Sequence, residues 1–171
     1  MCQVARTSFT AIVLSFGICF CGCAKEGAAL DKDSPKQDQV SMKIILPEQS
    51  RRWRYPTPAQ YVIRSEGQWQ KMWRRGHPPR RVAEQPPPPP PMSFEKEMII
   101  AVFQGMCPSG GYRIEIKEIN ETDEGINVVV QQRRPGPQEG TTAVITNPSH
   151  LVSVPRSDKV VRFRIVRVSG H

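Results

Sequence analysis

Apolar positions recur with a period of two over most of the second half of the chain, and with the period of a helix over one short stretch before it. Residues 98–103 (MIIAVF) form a continuous apolar run of strand length, the pattern of a strand covered on both faces. Tyr112, Ile114 and Ile116 alternate with charged residues, Ile126, Val128 and Val130 repeat the alternation, and residues 160–168 carry Val161, Phe163 and Ile165 on one side. Each of these runs predicts a strand, with shorter strands at 44–46, 61–63 and 151–154 and a further one resuming over 141–146. Turn residues separate them: residues 105–111 (GMCPSGG), 120–125 (NETDEG) and 133–137 (RRPGP).

The single helical stretch opens at Ser65-Glu-Gly-Gln68, which has the Ser-x-x-Gln spacing of a capping box. Trp69, Met72 and Trp73 follow at i, i+3 and i+4, one face of a helix running to about Arg75, and residues 76–79 (GHPP) end it. That face reads as core-facing, with a ligand-stacking tryptophan pair as the alternative. The expected fold is mainly β with one short helix, a small antiparallel sheet or sandwich preceded by a signal peptide and a flexible stalk. The expected division is a signal peptide at 1–22, a lipid-anchored basic stalk at 23–59, a strand–helix lead-in at 60–77, a Pro-rich linker at 78–93 and a β domain at 94–168.

Composition changes the picture in three places. Eight of the 17 prolines fall within residues 78–91, six of them consecutive at 86–91. Six consecutive prolines form a left-handed extended rod of roughly 19 Å, either a stiff spacer or a ligand for an aromatic groove. The modules that usually read proline rods are cytoplasmic, which favours the spacer in an exported chain. The charge surplus of +8 is also local: residues 43–81 hold ten Lys and Arg against two Glu, whereas residues 82–171 are balanced. A basic segment reads as a solvated face, or as a surface for anionic headgroups, wall polymers or an acidic protein; no nucleic acid is expected outside the cytoplasm.

The cysteines lie mostly at the front. Cys2, Cys19, Cys21 and Cys23 fall within the first 23 residues, leaving Cys107 alone in the remainder, with no disulfide framework and no metal set. An apolar run over residues 9–20 follows Arg6; at about 12 residues it suits a secretion signal and is shorter than the ~20 that a spanning helix needs. Phe20-Cys21-Gly22-Cys23-Ala24 resembles the lipobox of bacterial lipoproteins, which implies cleavage before Cys23 and a membrane lipid on its thiol. Phe20 and Cys21 depart from the usual residues there. The implied location is the cell envelope, membrane-anchored, with the outer membrane favoured.

No catalytic set emerges. His77, His150 and His171 are far apart and lack the spacing of metal ligands. Ser109 lacks the strand–turn–helix setting of a nucleophile elbow, and residues 105–111 lack the Gly-Lys-Ser/Thr ending of a phosphate loop. Cys107 reads as an inert, partly buried thiol. No enzyme activity, cofactor or metal is expected.

The stretch FEKEMIIAVFQGMCPSGGYRIEIKEI resembles the PrcB C-terminal domain family. The likeness lies in Phe94, the run 98–103, Gly105, the Gly loop ending Gly110-Gly111-Tyr112, Ile114, Ile116 and Arg134-Pro135. Residues 146–155 (TNPSHLVSVP) and the helix at 65–73 extend it over about 60–165; the proline insert, Ser109 and Cys107 depart from the family pattern. The resemblance implies an exported, non-enzymatic protein that assists or binds an exported protease or another envelope protein. Pro108, Ser109, Gly110, Gly111 and Tyr112 are the candidate partner-binding loop, with a hairpin anchored by Tyr112 as the structural alternative. The same five residues bear a distant likeness to the Pro-Thr-Thr-Gly-Tyr loop of chagasin-type protease inhibitors, which implies inhibition as the rival function.

Overall fold

The computed structural model describes residues 38–45, 53–79 and 85–170. The signal peptide at 1–22 and Cys23 lie outside the described residues. Among the described residues, eight strands and one helix follow in chain order: β1 (Asp38–Gln39), β2 (Lys43–Ile44), β3 (Ala59–Ile63), α1 (Glu66–Gly76), β4 (Glu97–Phe103), β5 (Arg113–Thr122), β6 (Gly125–Arg134), β7 (Ser149–Pro155) and β8 (Val161–Ser169). They form two four-stranded sheets, an outer one in the order β1-β5-β6-β8 and a middle one in the order β2-β7-β4-β3. Met98, Ile100, Val102, Val152 and Val154 of the middle sheet pack against Ile114, Ile116, Ile119, Ile126, Val128 and Val130 of the outer one. The opposite face of the middle sheet, with Ile99, Ala101, Phe103 and Leu151, packs against α1. The fold is therefore a mainly β sandwich with one helix, and β4 is buried on both faces, as its unbroken apolar run predicts.

The outer sheet's inward pattern contains an apparent error that a bulge corrects. Ile114 and Ile116 are two apart, but Ile119 follows after three, so a regular strand would turn Ile119 to solvent. Pairing shifts between Ile116 and Glu118, with Ile116 opposite Val130 and Glu118 opposite Val129, and Lys117 is the extra residue. All three isoleucines consequently face the core. The hairpin turn is tighter than the expected 120–125 loop: strand pairing continues to Thr122 and Gly125, and Gly125 takes a positive φ of 150°. A Cβ there would meet the Val160 carbonyl oxygen at 2.5 Å.

α1 starts as its sequence predicts. The Ser65 side chain accepts from the Gln68 amide at 3.4 Å, and Glu66 lies in the first turn. The reciprocal half of the capping box is displaced by one residue, because Gln68 Oε1 accepts from the Arg64 amide at 2.8 Å. Trp69, Met72, Trp73 and Gly76 are the buried side of the helix.

Five expectations require correction. The stalk expected over 23–59 does not extend to its predicted end: β1 pairs with β5, β2 pairs with β7, and Trp53 and Tyr55 are buried. Strand pairing uses backbone groups, so the polar composition of 38–43 did not reveal it. The lead-in at 60–77 is not separate from the β domain, since β3 pairs with β4 along its whole length; residues 35–171 form one compact unit. Residues 141–146 make no strand, only an isolated bridge between Cys107 and Thr146. Finally, the outer sheet is not wholly antiparallel, because β8 runs parallel to β6 from Ile126 opposite Val161 to Arg134 opposite Ser169. The chain reaches β8 from β7 in the other sheet, so no hairpin constrains its direction.

The Pro-rich linker expected at 78–93 is also a packed element over its described part. Trp69 Nε1 donates to the Pro90 carbonyl at 3.0 Å, and Trp73 Nε1 donates to the Pro87 carbonyl.

Candidate functional site

The predicted loop is held from below and from one side. Gly105 adopts a φ of 86° as the chain leaves β4; a Cβ there would lie 2.9 Å from Pro58, so backbone conformation and space both select glycine. Met106 donates its amide to the Pro56 carbonyl at 3.1 Å. Cys107 and Thr146 then exchange both backbone hydrogen bonds, at 2.8 and 2.9 Å, and Gly110 donates to the Thr142 carbonyl at 2.9 Å. The Thr146 hydroxyl donates to the Ser109 carbonyl at 2.9 Å. Two loops, 105–112 and 141–147, are thus laced together as one projection between the ends of β4, β5, β6 and β7.

A third segment braces it. Arg133 donates to the Gly111 carbonyl at 2.9 Å and to Glu139 Oε2 at 2.6 Å, and that carboxylate also accepts from the Gly136 amide at 3.2 Å. The Arg133 guanidinium holds the Glu139 carboxyl below its ordinary range, with the Gly136 amide as the next cause. Gly111 completes the turn into β5 with a φ of 81°.

Backbone hydrogen bonds tie the two loops to each other, and the side chains at the crest are apolar and open. Met106, Val144 and Ile145 are 61, 60 and 62% exposed. Pro108 is exposed beside them, whereas Ser109, Gly110, Gly111 and Tyr112 are half-buried. The structure therefore brings the five predicted residues into one loop but places the exposed apolar surface mainly on its neighbours. Val144 and Ile145 were missed because a β-branched run reads as a strand. Their exposure follows from the bridge partner Thr146, which ends the pairing after one residue.

Neither nucleophile candidate is activated. Burial pushes the Cys107 thiol up, with Arg134 opposing in part, the reverse of the lowered value that a reactive thiolate needs. The Ser109 hydroxyl donates to the adjacent Gly110 carbonyl at 3.1 Å. Among the described residues no group of three His, Cys, Asp or Glu could hold a metal ion. His77 lies buried at the end of α1, and His150 lies in β7, where its Nδ1 accepts the Ile116 amide at 3.0 Å.

The basic segment is divided in use. Lys43, Arg54, Lys71, Arg74 and Arg75 are exposed, but Arg64 is a structural clamp, donating to the Ser157 and Lys159 carbonyls at 2.8 Å each. No helix among the described residues is long and apolar enough to cross a membrane.

No curated protein and no solved structure matches this chain. A family model does match, over residues 98–155, a span that runs from β4 to β7 and contains both laced loops. Over that span the chain is similar to the PrcB C-terminal family, as the likeness of its Gly loop and flanking strands implies.

Proposed function

We propose that this chain is an exported, lipid-anchored binding module, in which the PrcB-like domain presents its laced loops to an exported protease or another envelope protein. The observation that carries this reading is the apolar crest of Met106, Val144 and Ile145 on a backbone with internal hydrogen-bond partners. Exposed apolar side chains on a braced support bury surface on contact without a large ordering cost, the balance a binding surface requires. The domain acts without chemistry of its own. Its anchor is acylated Cys23, and export supplies the location in which such a partner would be met.

The test is crosslinking in the native envelope with the wild-type chain and a Met106→Asp, Val144→Asp, Ile145→Asp variant. Recovery of a protease or one defined envelope complex with the wild type, lost in the variant at equal abundance, is the expected result. Equal recovery from both chains overturns the loop assignment. The rival reading, a chagasin-like inhibitor, rests on the same projecting loop and predicts inhibition of cysteine or serine proteases at micromolar protein. Anchoring is tested separately: Cys23→Ser should release the chain from membranes and abolish palmitate incorporation.

A further inference from the structure

The proline run and the tryptophan pair, two features that the loop site leaves unused, meet each other. A polyproline helix has three residues per turn, so the carbonyls of Pro87 and Pro90 lie on the same edge, one turn apart. Trp69 and Trp73 are four apart on α1, hence on one face and about 6 Å apart along the axis. Each indole N–H donates to one of those carbonyls, Trp69 to Pro90 and Trp73 to Pro87, so the rod runs antiparallel to the helix. Proline has no N–H of its own, and its carbonyls are therefore the groups through which a proline rod is read. Beneath the rod, Trp69 and Trp73 are 0 and 1% exposed.

The contact has the form of receptor and ligand more than that of core packing. It reads backbone carbonyls at a one-turn repeat, which any proline rod offers, and Pro87, Pro88 and Pro91 remain exposed. The rim has a sign: Lys71, Arg74 and Arg75 are exposed on α1 with Glu66 the single acid of that helix, and Arg74 borders the groove beside Gln70 and Pro86. The geometry points to a second binding site on this molecule: the Trp69–Trp73 face of α1 takes proline rods, its own residues 86–91 occupy it in cis, and a separate proline-rich segment with acidic flanks takes it in trans. The tethered run competes at an effective concentration in the millimolar range, so it also gates the site.

The three tryptophans supply the assay. In the full chain, the indole N–H signals of Trp69 and Trp73 report the site, and Trp53, whose buried Nε1 has no partner, is the internal control. Residues 86–91 are replaced by a six-residue Gly/Ser run, and the probes are synthetic hexaproline peptides flanked by Asp or by Lys. The expected result is loss of the bonded indole signals in the variant, their recovery with the Asp-flanked peptide, and at least tenfold weaker recovery with the Lys-flanked one. The wild type should need at least tenfold more Asp-flanked peptide than the variant for the same displacement of the Trp69 and Trp73 signals. A folded variant whose signals ignore millimolar peptide overturns the proposal, as does a wild type whose Trp69 and Trp73 signals stay fixed at peptide saturation. A variant that fails to fold overturns it too, because the prolines would then be core and not ligand.

Discussion

Gly76 closes α1 where Trp53 lies against the helix, with Arg54 donating its amide to the Gly76 carbonyl at 2.9 Å. A Cβ at this position would overlap the Trp53 ring and approach Tyr55 Cε2 to 2.9 Å. At the other end of the same helix, Gly67 is exposed with nothing within 4 Å of the same added atom. One substitution at two sites should therefore act with opposite sign. Gly67→Ala is expected to stabilise by about 0.5 kcal/mol through helix propensity and a less free unfolded chain. Gly76→Ala should destabilise by about 2 kcal/mol or more, through overpacking. Urea denaturation of both variants measures the difference. Neither outcome was legible in the sequence, because Trp53 lies between arginines in irregular chain and its burial depends on a partner 23 residues away.

His150 is the second residue whose environment makes a prediction. It is half-buried between the sheets, and its Nδ1 must be unprotonated to accept the Ile116 amide. Burial holds the imidazole below its ordinary value of 6.5; Glu115 opposes this and Lys117 adds to it. The unfolded chain therefore binds the proton more readily than the folded one. The stability contributed by neutral His150 is present above about pH 6.5 and is lost as pH falls below it. Denaturation midpoints from pH 8 to 5 should fall with acid, and His150→Gln should flatten that dependence.

Among the elements, those with their own periodic signal were legible. The cap at Ser65, the Trp-Met-Trp face and the apolar run of β4 follow from spacing alone, because a helix or a doubly covered strand states its environment in its own residues. The β5 bulge does not. Its signature, Ile116 and Ile119 three apart, becomes meaningful only once β6 supplies the facing register. The bulge is a matter of spacing alone, so neither the Lys117 side chain nor the extra residue itself is needed to face the isoleucines inward. Lys117→Ala, at an exposed position, should change stability by no more than about 0.5 kcal/mol. Deleting Lys117 should convert the bulge to regular pairing with Ile114, Ile116 and Ile119 still on the core face, so the cooperative transition seen by circular dichroism should survive. The polyproline segment shows a different limit: its conformation was legible at once, but its docking required knowing that two indole donors meet the carbonyls of Pro87 and Pro90.

At the scale of the molecule, the recognisable segment and the structural unit differ in extent. The family match ends at residue 155, before β8, and begins at residue 98, after β3 and α1. Yet Val161, Phe163 and Ile165 pack on the core between the sheets, and α1 covers the other face of β4. A fragment of 98–155 should therefore expose both apolar faces and show no cooperative thermal transition, while 35–171 should melt as one. The direction of β8 was the least legible feature, because alternation assigns a strand its faces and says nothing of which way it runs.

The lone buried thiol has a practical corollary. In a chain beginning at Pro35, Cys107 is the single cysteine, and it sits in the bridge to Thr146 that fastens the two loops. A thiol reagent can reach it only when that clasp opens, so the rate of its modification measures how often the crest comes apart. The molecule thus contains its own opening gauge, and a bound partner should slow it.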